Sequence, residues 1–153
     1  EVNKERLKEF VYKPIENGFV LVPYIVIKED NEGSMRAAIS KQMANDFDYD
    51  IDTLMATAFQ NTVDRYAPTF MGMTAMFGLK YSPDIMNPMK DDFEIDKHLG
   101  MYVLSNTKHS EGATALFYPD MTKRIGEILG GNYYVLPSSL HEVIIVPEST
   151  GLS

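Results

Sequence analysis

The chain has 153 residues, the usual size of one domain, and its 44% hydrophobic and 24% charged residues are typical of a globular protein. A net charge of -8 without any basic stripe argues against binding to nucleic acid or to an anionic membrane surface. The absence of cysteine excludes disulfides, thiolate metal sites and a cysteine nucleophile, and it fits a cytoplasmic protein.

The organisation of the chain favours one domain over residues 1–153, because its prolines and glycines are scattered and no linker separates two halves. The longest apolar stretches are much shorter than the ~20 residues of a membrane-spanning helix. The chain begins with Glu1 rather than an initiator methionine or a signal peptide, and it stops at Ser153. We therefore expect a fragment of a longer protein.

The first elements in chain order are a helix and a hairpin. Apolar residues recur at helical spacing over 3–12. Residues 19–27 are rich in β-branched side chains and predict a buried strand, in which Pro23 favours an edge or a bulge. A turn over 29–33 and a second strand over 34–39 complete the hairpin.

Two helices are expected next. Residues 41–47 predict one or two helical turns. Asp50 then has the position of a helix cap, and a stronger amphipathic helix is predicted over 51–66 until Pro68 stops it. The methionine-rich segment 69–79 fits either a helix or a strand, and the pattern leaves that choice open.

The last third has the clearest pattern, after a loop-like region over 81–96. It predicts four strands, over residues 101–105, 113–118, 133–136 and 142–146. Between the second and third strands, Pro119 and Asp120 mark a helix start and Gly130-Gly131 a left-handed stop.

The order α-ββ-α-ββ-α-ββ indicates an α+β fold, a mixed and mainly antiparallel sheet with helices packed against it. Because the helix before the last two strands is just long enough for a parallel crossover, we expect part of the sheet to be parallel.

Four alternating acids resemble the start of a calcium-binding EF-hand loop, namely Asp46, Asp48, Asp50 and Asp52. That loop needs glycine at its sixth position and glutamate at its twelfth, where this chain has Ile51 and Thr57. We interpret the segment as an acidic loop with a helix cap and predict no metal site. A lone Asp-x-Asp pair for magnesium is the weaker alternative.

The turn between the last two strands holds the densest polar chemistry, at Ser138, Ser139, His141 and Glu142. A zinc-protease pattern would need a second histidine at position 145, which is isoleucine. Catalysis by serine needs its oxygen bonded to an oriented imidazole, which such close neighbours rarely achieve. We favour a structural turn whose serines satisfy backbone donors and whose His-Glu pair caps the next strand. Catalysis and contact with a ligand or partner are the alternatives.

Other motifs have simpler interpretations. Gly130-Gly131 follows a helix instead of a strand, so no nucleotide or other cofactor is expected. Met71, Met73 and Met76 favour core filling over an adaptable binding surface. Tyr133 and Tyr134 are predicted to place one ring inside the protein and one outside.

Three segments carry a denser motif: Tyr102-Val103-Leu104-Ser105-Asn106, Gly112-Ala113-Thr114-Ala115-Leu116-Phe117-Tyr118 and Tyr134-Val135-Leu136-Pro137-Ser138-Ser139-Leu140-His141-Glu142-Val143-Ile144. Over residues 101–147 the chain resembles a family of uncharacterised bacterial proteins, the domain of unknown function numbered 5688. The resemblance is looser upstream. It implies no activity. It also implies a further helix and tail after the motif, which this chain lacks.

Three functions follow as hypotheses, and the leading one is a non-enzymatic protein-interaction domain, because no catalytic constellation is intact. The second is a small-ligand sensory or regulatory domain, since a sheet covered by helices can enclose a ligand. The third is a hydrolase or metal-dependent enzyme centred on Ser139, His141 and Glu142, with an acid from 91–96 brought in by folding. In it Ser139 is the nucleophile, His141 the base and a carboxylate the orienting group. The sequence predicts no oligomeric state.

Overall fold

The structure is a computed structural model that describes residues 2–30, 33–73 and 86–151. It has helices and antiparallel sheets, which confirms the predicted α+β class. The chain divides into two units, residues 1–62 and 63–153. The expectation that the whole chain is one domain stays a prediction. Within the described ranges, no helix has the length and apolar character needed to cross a membrane.

The first unit begins with helix α1 (Val2–Leu7), which is shorter than predicted. It ends early because the chain then runs beside a later segment, where the N–H of Val11 donates to the carbonyl of Ile39 at 2.9 Å. A small ribbon follows, in which β1 (Lys13–Pro14) pairs antiparallel with β2 (Val20–Leu21).

The predicted hairpin is confirmed, since β3 (Tyr24–Asp30) and β4 (Gly33–Ala38) pair antiparallel with a bulge near residue 27. The single strand predicted over 19–27 is wrong in its extent. It is interrupted at Pro23, between β2 and β3, because proline has no N–H to give to a ladder.

Two helices follow as predicted, α2 (Lys41–Asp46) and α3 (Ile51–Arg65), and the last three residues of α3 belong to the second unit. Asp50 caps α3, because its carboxylate accepts from the hydroxyl of Thr53 at 2.6 Å and from the N–H of Thr53 at 2.9 Å. These two bonds lower the pKa of Asp50 from its ordinary value. Buried apolar side chains from several elements form the small core of the first unit: Val11, Ile39, Ala44 and Met55.

The second unit is built on a four-stranded antiparallel sheet. Its strands are β5 (Pro68–Gly72), β6 (Tyr102–Asn106), β7 (Tyr133–Pro137) and β8 (Val143–Pro147), in the order β5-β6-β8-β7. The open choice for residues 69–79 is thus a strand as far as 72, and residues 74–79 lie outside the described ranges.

The expectation of a parallel part is wrong for the described strands, all of whose pairs are antiparallel. Strands β6 and β7 do run in the same direction, because both are antiparallel to β8. However, β8 lies between them and removes the parallel contact. Chain order alone does not reveal such an insertion.

The strand predicted over 113–118 is also wrong, because residues Gly112–Phe117 form a short 3-10 helix. Ala115 and Leu116 in this helix are buried. A short buried apolar run has the same pattern in a helix and in a strand, so its period could not decide between them.

Helix α4 (Met121–Leu129) is confirmed, with Asp120 at its N-cap position and Gly130 in the left-handed region at φ 77°. The Asp120 side chain makes no capping bond, and its own φ is 58°. The main core of the unit lies between the sheet and the segments that cover it, and its largest fully buried side chains include Phe70, Tyr102, Leu104, Met121, Ile125 and Ile145. The rings of Phe70 and Tyr102 stack with centroids 5.3 Å apart.

Candidate functional site

The turn that holds the predicted site residues is positioned by the last two strands. β7 and β8 pair in register as far as Pro137 and Val143, so residues 138–142 form the loop between them. Ser138, Ser139 and His141 are exposed, and Glu142 is half-buried. The structure therefore brings all four candidate residues together at the surface.

The two serine hydroxyls converge on one carboxylate. The Oγ atoms of Ser138 and Ser139 each lie 3.0 Å from Oε1 of Glu142 and donate to it. The Oγ of Ser139 also accepts from the N–H of His141 at 2.9 Å. Ser139 thus bonds a backbone donor, as expected of a structural turn, whereas the hydroxyl of Ser138 bonds only to Glu142 among the described residues. The carboxylate of Glu142 binds the two serines and not the backbone of the next strand.

The imidazole of His141 is bonded to a distant part of the chain. Its Nδ1 accepts from the backbone N–H of Glu111 at 3.1 Å, across 30 residues of sequence. A neutral ring that accepts at Nδ1 carries its proton on Nε2. In this arrangement neither nitrogen takes up the proton of the Ser139 hydroxyl, which is directed to Glu142.

Backbone bonds fasten the same turn to the sheet and to the 3-10 helix. The Oγ of the buried Ser105 on β6 donates to the carbonyl of His141 at 2.7 Å. The N–H of Ala113 donates to the carbonyl of Leu140 at 3.2 Å. The backbone of the turn is therefore held by β6 and by the 3-10 helix, although most of its side chains are exposed to water.

The carboxylates of 91–96, which the hydrolase hypothesis needs, are engaged elsewhere or exposed. Asp96 accepts from Tyr102 through its carbonyl and from the N–H of His98 through its carboxylate. Among the described residues, no hydrogen bond or ion pair joins a carboxylate of 91–96 to the turn. Of the three methionines predicted to fill the core, Met71 is buried, Met73 is half-buried and Met76 lies outside the described residues. Tyr133 is half-buried and Tyr134 is exposed.

The acidic segment that resembled a calcium loop joins α2 to α3, and its four carboxylates are exposed: Asp46, Asp48, Asp50 and Asp52. Across the described part of the chain, no group of three or more histidine, aspartate or glutamate side chains could hold a metal ion. None of these four aspartates makes an ion pair with a lysine or arginine of the described ranges.

The apolar residues between those acids are the feature that sequence reasoning missed. Phe47, Tyr49 and Ile51 are 64%, 52% and 41% exposed, and the rings of the first two lie 5.9 Å apart between centroids. The signal was available, because the strict alternation of acidic and apolar residues over 46–52 has the period of a strand, whereas Asp50 in the same segment caps a helix. We call residues 46–52 the acidic–aromatic loop.

An open cavity of about 280 Å³ lies at the start of β7, lined by residues 129–132 and 147–149. None of these lining residues belongs to β6, the central strand beside which a ligand could lie between sheet and helices. Tyr102 and Leu104 there are fully buried in a filled core.

The sequence as a whole matches one family model, over residues 1–153. The chain belongs to the family of unknown function DUF5688. This confirms the resemblance noted in the C-terminal motifs and extends it to both units. No curated protein and no solved structure matches the chain. The DUF5688 match therefore includes both the turn at 138–142 and the acidic–aromatic loop, and the function has to be argued from their geometry.

Proposed function

We propose that the chain is a non-enzymatic protein-binding domain and that the acidic–aromatic loop is its binding surface. One observation carries the proposal: three large apolar side chains are exposed within five residues, at Phe47, Tyr49 and Ile51. Full burial of such a side chain contributes about 1.5–3 kcal/mol, so leaving three of them in water is a cost that a partner can remove. Aromatic residues are also the commonest energetic centres of protein interfaces.

The charge of the loop indicates which partner it fits. Its four carboxylates lack ion-pair partners in the described residues, and the chain as a whole carries a net charge of -8. A partner segment with lysine or arginine around an apolar stripe would cover the rings and compensate the carboxylates. Complementary charges at the rim also speed association, and that contribution weakens as salt screens it.

The hydrogen bonds of the turn at 138–142 argue against the alternative that the protein is a hydrolase. The hydrolase hypothesis needs His141 as the base that accepts the proton of Ser139, whereas the Ser139 hydroxyl donates to Glu142 and His141 accepts from Glu111. A small-ligand domain receives less support, because the core beside β6 is filled by Tyr102 and Leu104.

The test is titration of a fluorescein-labelled amphipathic peptide of leucine and lysine, with a matched peptide of leucine and glutamate as the control ligand. We expect the lysine peptide alone to bind, with an affinity that falls as salt rises. The double variant Phe47→Ser/Tyr49→Ser should weaken binding at least ~10-fold, since loss of 1.4 kcal/mol is tenfold in affinity. Leu140→Ser removes an exposed apolar side chain of the second unit, 72% exposed, and should change nothing.

A second pair of variants separates the loop from the general charge of the protein. Asp46→Asn/Asp48→Asn/Asp52→Asn removes three negative charges and leaves the helix cap Asp50 in place. Asp91→Asn/Asp92→Asn/Glu94→Gln removes three exposed charges in the second unit. The first triple variant should lose affinity and salt dependence, and the second should keep both. Equal losses in the two triple variants, or equal binding of the glutamate peptide, would overturn the proposal.

A further inference from the structure

The outer edge of β7 offers unpaired backbone groups. The N–H of Glu148 donates to the carbonyl of Asn132 at 3.0 Å, and these two residues are directly opposite each other in the register of β7 and β8. Hydrogen-bonded and non-bonded positions alternate along an antiparallel ladder. Even-numbered residues of β7 therefore bond to β8, whereas Tyr133, Val135 and Pro137 direct their backbone groups outward.

No hydrogen bond among the described residues uses these outward groups. The other edge of the sheet differs, because on β5 the N–H of Phe70 donates to the carbonyl of Met86 at 2.8 Å. Within the described part of the chain, the edge of β7 therefore has two N–H donors without a partner, at Tyr133 and Val135. On the same count it has three carbonyls without a partner, at these two residues and at Pro137.

The edge lacks charged residues that would oppose pairing, although Pro137 stands at its end. Exposed edges normally carry charged residues, especially lysine, that oppose the approach of another strand. Residues 128–140 contain no acidic or basic side chain, in a chain with a net charge of -8. Tyr134 and Leu136 share one face of the strand and are 43% and 45% exposed.

We propose that β7 pairs antiparallel with β7 of a second copy of this chain, about a two-fold axis at Val135. The two Val135 residues then exchange a pair of hydrogen bonds. Each Tyr133 N–H donates to the Pro137 carbonyl of the other copy, so every outward donor of both strands is used. Pro137 has no N–H to give in return, so the Tyr133 carbonyl of each copy accepts no bond at this end of the ladder.

Charge and side-chain chemistry favour a second copy as the occupant. Two acidic proteins repel each other, but this charge-free strip lets them meet without placing like charges together. The same register sets Tyr134 opposite Leu136 of the other copy, twice, on the exposed face. Two paired strands bury less than the about 1,200–2,000 Å² of a stable interface, so we expect a weak dimer with a dissociation constant in the micromolar range or above.

Cross-linking tests the register directly, because the chain has no native cysteine. Residues 134 and 136 face each other across the two-fold axis as a non-hydrogen-bonded pair, where strands are closest. A mixture of the Tyr134→Cys and Leu136→Cys proteins should form a disulfide-linked dimer under mild oxidation at high protein concentration. Each variant alone should form little. If Tyr134→Cys cross-links by itself, the two-fold axis lies at Tyr134 and not at Val135. Equal yields of disulfide dimer in the mixture and in the two single variants would mean random collision. Either outcome overturns the proposed pairing.

Sedimentation over a concentration series supplies the second test. Val135→Pro removes an outward N–H and no bond to β8, and should raise the dissociation constant at least ~10-fold. Leu136→Lys should do the same by charge, whereas Leu140→Lys, on the turn beyond the strand, should associate like the unmodified protein. A protein that stays monomeric at millimolar concentration contradicts the pairing, as does a dimer unaffected by both β7 variants. Neither result bears on peptide binding by the acidic–aromatic loop.

Discussion

Substitution of Gly112 by alanine tests the clamp that holds the turn at 138–142. Gly112 begins the 3-10 helix where it crosses β6. A Cβ added there would overlap the Ser105 hydroxyl and the His141 carbonyl oxygen and would lie 2.8 Å from the backbone nitrogen of Asn106. Two of these neighbours are backbone atoms in the sheet and the turn, so a side-chain rotation cannot relieve the contact.

The expected cost has two parts. Forcing extra volume into a filled site costs about 1–3 kcal/mol. Separation of Ser105 from His141, which share a hydrogen bond of 2.7 Å, removes roughly 0.5–1.5 kcal/mol more. We therefore expect Gly112→Ala to lower the free energy of unfolding by about 1.5–4.5 kcal/mol. For a chain of this size each kcal/mol shifts the melting temperature by about 2–4 °C, so the expected drop is about 3–18 °C.

Circular dichroism during thermal and urea unfolding measures the effect, with Gly131→Ala as the matched control. An added Cβ at Gly131 meets no atom within 4 Å. That variant should unfold within about 1 kcal/mol of the original protein, because alanine only reduces the freedom of the unfolded chain. If Gly112→Ala also melts at the original temperature, the 3-10 helix does not pack on Ser105 and His141 as described.

Two further predictions concern hydrogen bonds of the second unit. Glu142→Gln weakens the acceptor shared by Ser138 and Ser139 and should lower the free energy of urea unfolding by roughly 1 kcal/mol. The control variant Asp92→Asn, at an exposed position, should have no effect. Equal unfolding free energies for the two variants would show that the turn does not need the carboxylate. Burial and the neighbouring Tyr66 raise the pKa of Tyr118 from 10.0 to about 12, and its hydroxyl donates to the Tyr66 carbonyl at 2.9 Å. Because Tyr118 ionises at lower pH in the unfolded chain than in the folded protein, its contribution to stability is complete below pH 10 and is lost as pH rises to 12. The fall in unfolding free energy between pH 9 and 11 should therefore be smaller in Tyr118→Phe than in the original protein.

Elements with local causes could be predicted from sequence. Helix α3 begins after Asp50, whose carboxylate bonds to Thr53 within the same turn. Helix α4 ends at Gly130, because glycine adopts a left-handed backbone without cost. The strands β3 and β4 of the hairpin are close in sequence, since Asp30 at the end of β3 pairs with Gly33 at the start of β4. Each of these signals lies within a few residues of the structure that it produces.

Features that depend on distant residues could not be predicted. The run 113–118 packs on β6 as a 3-10 helix, although its apolar pattern suits a strand equally well. The insertion of β8 between β6 and β7 depends on pairing across some 40 residues, which no local pattern reports. The same holds at the turn, where the residue types at 138–142 identified a polar cluster but not its bonds.

By itself, then, the sequence determined the α+β class, the membership of a family, the acidic charge and the positions of most helices and strands, because propensity, caps and breakers act locally. Only the tertiary structure decided that His141 accepts from Glu111, that the serines donate to Glu142 and that Phe47 and Tyr49 face water. Those facts depend on which distant segments of the chain come into contact. The burial of a residue and its hydrogen-bond partners are set by these tertiary contacts and not by the residue types alone.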